Sequence, residues 1–232
     1  MLFLWPKVSA DTHKRPTRIY RKIYYRCIVS LGSDIAELLS EVASSFVILR
    51  DSGDISGEYC DISINFQATK PFIISYFRNA VFQYNSNAIP GDVIIFDNTE
   101  DPYLITTLNP EEFENSIISK QGVLYLCNVS GELLRPSGEV WNTDYYHKEQ
   151  SWETIKSDCR ALLVNPELRN KLTDEEAVMV SIEDNELYLP ASVGVAVNDR
   201  YVPVSGEYYK IDVVNSYRYF GISVCKLVED TR

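Results

Sequence analysis

The sequence predicts a mainly β protein with two small antiparallel β-barrel or sandwich modules and short helical inserts. Three observations support this prediction. Segments rich in β-branched and aromatic residues recur along the chain, turn residues such as Gly, Pro and Asn separate them, and helical patterns are few and short. The chain has 232 residues, of which 45% are hydrophobic. It can therefore bury a core in one large domain or two small ones.

Strand patterns dominate the first half of the chain. Their residues favour a pleated, half-buried backbone, and the segments with this pattern are Ile19–Val29, Phe46–Arg50, Tyr59–Phe66, Pro71–Phe77 and Val81–Tyr84. Short antiparallel strands with one apolar face leave unpaired edges when the sheet stays open. Closure into a small barrel or sandwich hides those edges, so we expect such a module here.

Three short stretches carry helical signals. Asp34 can cap a helix whose apolar face would contain Ile35, Leu38, Leu39 and Val42. The start of Asn109–Asn115 resembles an N-cap followed by proline in the first turn, which predicts a brief helix. A further helical piece is predicted over Pro166–Leu172.

An internal repeat of about one hundred residues connects the two halves of the chain. The first copy contains the strand patterns Val81–Tyr84, Pro90–Phe96, Tyr103–Asn109 and Gly122–Cys127. The second copy contains Glu186–Leu189, Asn198–Val202, Tyr209–Asn215 and Gly221–Cys225. The spacing from Asp92 to Tyr103 matches that from Asp199 to Tyr209 within one residue. Duplication explains this match, and the alternative is chance, because alternating residues with tight turns are common in β proteins.

These patterns divide the chain into four parts. Residues 1–30 form a basic N-terminal arm that leads into the first strand, and residues 31–128 form the first β module. Residues 129–175 are expected to be a connection rich in Trp and Tyr, and residues 176–232 a second, smaller β module. The connection contains Trp141, Tyr145, Tyr146 and Trp152. We expect these rings to fasten it to the barrels; contact with a partner protein comes second and stacking on a sugar third.

Charge is distributed unevenly along the chain. The arm carries a formal charge of +6, whereas the remaining residues carry −17. So acidic a body repels a phosphate backbone, which excludes broad coating by nucleic acid. The arm can bind an anionic partner, and we expect a protein interface at its basic residues and at three aromatic residues of the connection: Lys7, Lys14, Arg15, Arg18, Arg21, Lys22, Arg26, Trp141, Tyr145 and Trp152.

The sequence lacks the common signatures of catalysis and cofactor binding. It contains no GxSxG, GxGxxG or GxxxxGK[ST] motif, and its two histidines are His13 and His147. The five cysteines include no CxxC pair, so we expect reduced, mostly buried thiols and no metal site. No apolar run reaches the ~20 residues that cross a bilayer. We therefore expect a soluble protein, made in the cytoplasm, with no enzymatic activity and no cofactor.

Several segments together resemble structural proteins at the head–tail junction of tailed bacteriophages. They are Pro90–Val93, Tyr103–Ile105, Asn109–Glu111, Gly122–Asn128, Leu134–Trp141, Ser151–Trp152 and Val224–Arg232. The resemblance implies a non-enzymatic connector, adaptor or stopper, or a tail or head-decoration protein, in the virion after synthesis in the host cytoplasm. It also implies a cyclic homo-oligomeric ring around the DNA channel, in contact with portal, neck or tail proteins and non-specifically with packaged DNA, and with no membrane.

Two other classes of protein remain open from the residues. Small barrels also serve as nucleic-acid-binding modules, including domains of restriction enzymes that resemble the plant B3 fold, although the acidic body weighs against this class. A carbohydrate-binding or tail-associated protein would use Trp141 and Trp152 to stack on sugar rings.

Overall fold

The structure is a computed structural model, which describes residues 31–64, 76–142, 146–164, 185–203 and 206–231. These residues form a mainly β protein, as the sequence predicts, with two closed six-stranded barrels and one helix. The predicted strand Ile19–Val29, the predicted helix Pro166–Leu172 and most of the predicted strand Pro71–Phe77 lie outside the described residues.

The first barrel follows a helix, α1, at residues 31–42. Its strands are β1 (Ser44–Leu49), β2 (Ile55–Ile64), β3 (Phe77–Gln83), β4 (Val93–Phe96), β5 (Pro102–Phe113) and β6 (Ser116–Leu126). The strand order is β1-β2-β3-β6-β5-β4, and β4 pairs with β1 to close the barrel. Because every strand has two neighbours, the barrel leaves no long free edge.

The second barrel has the same topology. Its strands are β7 (Val129–Asn142), β8 (His147–Val164), β9 (Asn185–Pro190), β10 (Arg200–Val202), β11 (Tyr209–Tyr219) and β12 (Ile222–Glu229), with a short 3₁₀ turn at Ala191–Val193. The order is β7-β8-β9-β12-β11-β10, closed by the β10–β7 pair. Residues 129–164, which we expected to belong to a connection, therefore supply two strands of this barrel.

The two barrels use equivalent residues to fill their interiors. Strand pairing aligns β1 with β7, β2 with β8, and so on to β6 with β12. Each strand of the first barrel places one fully buried residue in the core: Ile48, Cys60, Phe82, Ile94, Ile105 and Leu124. The equivalent residues of the second barrel are also fully buried: Leu133, Ala161, Leu189, Tyr201, Ile211 and Leu227. The repeat found in the sequence corresponds to strands 3–6 of each barrel.

The helix predicted at Asn109–Asn115 is wrong. This segment continues β5 to Phe113, where a two-residue turn with positive φ at Glu114 and Asn115 leads into β6. Pairing with β6 overrides the local N-cap signal. Proline is tolerated at position 110 because β4 pairs with β5 only over Pro102–Leu104, which leaves that side of the strand without a neighbour to accept an N–H.

Helix α1 forms, but its start differs from the prediction. The helix already includes residue 31, so Asp34 lies inside it and is not its N-cap. Of the predicted apolar face, Leu39 is buried, whereas Leu38 and Val42 are exposed. The helix is fixed to the end of β3 by the side chain of Gln83, whose Nε2 donates a hydrogen bond of 2.8 Å to the carbonyl of Ala36.

Candidate functional site

An arginine–aspartate pair closes one end of the first barrel. Arg50 follows β1, and its Nε and Nη2 donate hydrogen bonds to the two carboxylate oxygens of Asp92 at 2.9 and 2.6 Å. Nη2 also donates to the carbonyl of Asn87, while the Asp92 carboxylate accepts a hydrogen bond from the N–H of Ile89. The bond to Asp92 raises the pKa of Arg50 above its ordinary value. The pair thereby fixes the connection between β3 and β4.

The second barrel repeats this arrangement. Arg135 donates to both carboxylate oxygens of Asp199 at 2.9 and 2.8 Å, and to the carbonyl of Gly194. Asp199 accepts from the N–H of Ala196, three positions before it, as Asp92 accepts from Ile89. The spacing of the two aspartates was visible in the sequence, but their arginine partners were not, since Arg135 lies 64 positions away from Asp199.

The two barrels pack against each other through a continuous apolar interface. The first barrel contributes Phe77, Val93, Leu104, Tyr125 and Cys127, and the second contributes Leu162, Tyr188, Ile222 and Val224. Ring contacts cross the interface, with centroids 6.1 Å apart for Tyr125 and Tyr188. Backbones also meet directly, because a Cβ atom on Gly221 would overlap the carbonyl oxygen of Pro90. These contacts join the barrels into one body.

A groove of about 580 Å³ lies between the barrels. Charged side chains line it, and they pair with one another: Lys156 contacts Asp51 at 2.6 Å across the groove, and Arg160 contacts Asp158 at 3.1 Å. A hydrogen bond from Ser130 lowers the pKa of Asp158. The charges that we can trace in the groove are thus engaged within the protein, which makes it a cross-braced junction between the barrels.

Four cysteines are described, and all are buried free thiols, as expected from the sequence: Cys60, Cys127, Cys159 and Cys225. Burial raises the pKa of Cys159 to about 11, and those of Cys127 and Cys225 to about 12. A thiol with so high a pKa is protonated at neutral pH and is a weak nucleophile. Among the residues that the structure describes, no group of three or more His, Cys, Asp or Glu side chains could hold a metal ion.

Of the predicted interface residues, Trp152 has a defined packing role. The guanidinium of Arg200 lies 3.8 Å from the centre of the Trp152 ring and 4.9 Å from that of Tyr208. Arg200 is buried and donates to the Asp230 carboxylate at 2.8 Å. Trp152 therefore fastens β8 to its barrel, and Arg200 covers one face of the indole that a sugar would need.

The remaining predicted interface residues have different outcomes. Trp141 lies near the end of β7 with 56% of its surface exposed. Tyr145 and the seven basic residues of the arm lie outside the described residues.

Trp141 belongs to a two-stranded extension, the β7–β8 ribbon, which consists of residues 136–142 and 147–153. β10 pairs with β7 only over Glu132–Leu134, and β9 pairs with β8 only over Leu162–Val164. Within the described part of the chain, the two strands of the ribbon thus pair only with each other. The first barrel has no such ribbon, because residues 49–54 suffice to connect Ile48 to its partner Ile55.

Large apolar side chains are exposed at the ends of three hairpins. The β7–β8 ribbon exposes Val140 and Trp141, and Tyr146 at its turn is 81% exposed. At the β11–β12 hairpin, Tyr217 is fully exposed and Phe220 is 81% exposed. The β5–β6 hairpin exposes Phe113 and Ile117. Sequence reasoning found the first group through its Trp and Tyr content but missed the other two, whose residues follow the ordinary strand pattern.

Comparison with protein-family models, with curated proteins and with solved structures found no match to this chain. No helix in the described ranges is long and apolar enough to span a membrane.

Proposed function

We propose that this protein is a non-enzymatic structural subunit that works by binding to other copies of itself and to other proteins. The observation that carries the proposal is the set of three hairpin ends with exposed large apolar side chains on one two-barrel body. Exposed aromatic groups of this size mark interaction surfaces in soluble proteins. A body whose barrels are closed and cross-braced can present them at fixed positions.

The resemblance of its sequence to neck proteins gives this subunit a setting. We propose that it belongs to the head–tail junction of a tailed bacteriophage virion, as a connector, adaptor or stopper that forms a cyclic ring in contact with portal, neck or tail proteins. Ring subunits meet head to tail and need two complementary surfaces. The arm at +6 and the rest of the chain at −17 provide opposite charges for such a contact. Only the arm is suited to touch packaged DNA.

Neutralising the arm tests this function in assembling particles. The seven basic residues of the arm are replaced together by glutamine: Lys7, Lys14, Arg15, Arg18, Arg21, Lys22 and Arg26. We expect fewer complete particles and loss of the variant chain from them, because the electrostatic attraction that orients neighbours is gone. The control is Lys226→Gln, which removes one exposed charge from β12. Complete particles in normal yield, with the chain absent from both wild-type and variant particles, would contradict the proposal.

A further inference from the structure

The β7–β8 ribbon has two long sides with different capacities to accept another strand. On the β7 side, Pro136 lacks an N–H and lies beside Gly138, so this side is poorly suited to extend a sheet. The β8 side contains no proline between His147 and Val164, and within the described residues β9 pairs only with its last three positions. An isolated two-stranded ribbon is marginal in water, and a third strand would stabilise it.

The chain itself contains a segment suited to this side. The sequence of Ile19–Val29 alternates apolar and basic residues in a strand pattern, and its charged residues are Arg21, Lys22 and Arg26 with no acidic residue. The ribbon has the opposite balance: Glu139, Glu149 and Glu153 against Lys148, whose ammonium pairs with Glu139 at 2.8 Å. Cross-strand pairs of opposite charge favour one partner and one register.

The arm leaves the body from the barrel that does not carry the ribbon. Residue 31 begins α1, and Gly32 lies against the carbonyl of Ile117 and the ring of Tyr84 in the first barrel. The ribbon projects from the second barrel. One copy thus carries the arm on one barrel and the receiving strand on the other, which is the arrangement that a head-to-tail contact between copies requires.

We propose that residues 147–155 of β8 receive Ile19–Val29 of a second copy as an added β-strand. The inference rests on the proposed function, because it names the contact through which neighbouring subunits of the ring are joined. Backbone hydrogen bonds along β8 supply affinity, and the acidic side chains of the ribbon select the basic segment.

Disulfide trapping in the full chain tests this contact, because Cys27 lies within the segment. One preparation carries Cys27→Ser with Ser151→Cys or Thr154→Cys, two positions on β8 that sample both faces of the strand. It is mixed with wild-type chain that carries a different tag. Paired strands bring Cα atoms within the roughly 4.4–6.8 Å that a disulfide needs. The four described native cysteines are buried and do not compete.

We expect about tenfold more mixed-tag disulfide dimer with at least one β8 cysteine than with Phe113→Cys, an exposed control on the β5–β6 hairpin. Equal yields, or none, would overturn the inference. A chain with both Cys27 and the β8 cysteine that links internally would overturn it in favour of the arm of the same copy. The mass of each unlinked sample separates the two proposals: oligomers without the link remove only the inference, whereas a monomer at every concentration and without the link removes both.

Discussion

At the scale of single residues, the arginine–aspartate pairs are the most informative contacts in the molecule. In both barrels a carboxylate holds an arginine through two hydrogen bonds and also accepts an N–H from the residue three positions earlier. The Asp199 side chain is 1% exposed, so its charge depends on Arg135 for compensation. The structure thus explains why the two aspartates recur at matching places in the sequence.

Replacing Asp199 by asparagine should destabilise the protein. The substitution leaves the Arg135 guanidinium without its counter-charge at the barrel end, and we expect a loss of about 2–4 kcal/mol in the free energy of unfolding. Urea denaturation measures it. Asp212→Asn is the matched control, since Asp212 is exposed and its carboxylate lies 3.7 Å from Lys210. A loss no larger than that of the control would show that the pair does not support the barrel.

The buried thiols predict a loss of stability in alkaline solution. The pKa of Cys159 is raised from an ordinary value of 9.0 to about 11 by burial. The unfolded chain therefore releases this proton first, and the free energy of unfolding falls as pH rises from about 9 to about 11. Cys159→Ala should reduce the slope of stability against pH in that window. An unchanged slope would contradict the burial of this thiol.

At the scale of elements, agreement between sequence and structure depends on how local the signal is. Strands β3–β6 and β9–β12 follow a two-residue alternation, so the repeat located them within a few positions. β7 and β8 were missed because irregular pairing near Gly131, Leu133 and Pro136 interrupts the alternation and places breakers inside a strand. The helix at Asn109–Asn115 was wrong because pairing with β6, which the local sequence cannot reveal, overrides a capping signal.

The turn between β5 and β6 gives a test at this scale. Glu114 and Asn115 both have positive φ, at 46° and 66°, in a two-residue hairpin turn. Asn-Gly is the pair that such turns favour. Replacing the two residues by Asn-Gly should stabilise the protein by about 0.5–1 kcal/mol, because strain at position 114 is relieved. Thermal unfolding measures the change. A lower midpoint temperature would contradict this turn and the continuation of β5 to Phe113.

At the scale of the whole molecule, the two barrels differ where it matters for their packing. The first barrel presents Val93 and Cys127 to the interface between barrels. At the equivalent positions the second barrel has Arg200 and Asp230, which form a buried ion pair under Trp152. The second barrel therefore cannot bind a third barrel through the same apolar contact. The same topology ends after two units because these few residues differ.

The contact of Gly91 with Gly221 tests whether the barrels form one body. Both residues have positive φ, and Gly221→Ala would place a Cβ atom against the backbone of Pro90. We expect a loss of more than about 2 kcal/mol in the free energy of unfolding. Gly194→Ala has a similar φ of 69° with nothing within 4 Å, so it isolates backbone strain and should cost about 1 kcal/mol. Equal losses for the two variants would show that the barrels do not meet there.

Part of the candidate site could be predicted and part could not. The Trp and Tyr content of the connection indicated an unusual segment, and the staple role expected for Trp152 agrees with its ring contact to Arg200. The sequence could not distinguish Trp152 from the exposed Trp141, because the difference depends on Arg200, which comes from β10. Tyr217 and Phe220 were missed because their exposure follows from the irregular pairing of β11 with β12.

Electron microscopy of tailed particles from the source of this gene is the most direct measurement of whether the protein acts as a structural subunit. Gold-labelled antibody against the full chain marks its position, and averaged images at higher resolution show its symmetry. We predict label at the head–tail junction and a cyclic ring whose subunits have the size of two six-stranded barrels. Particles that lack both label and such a ring, with the chain found only outside them, would contradict this function.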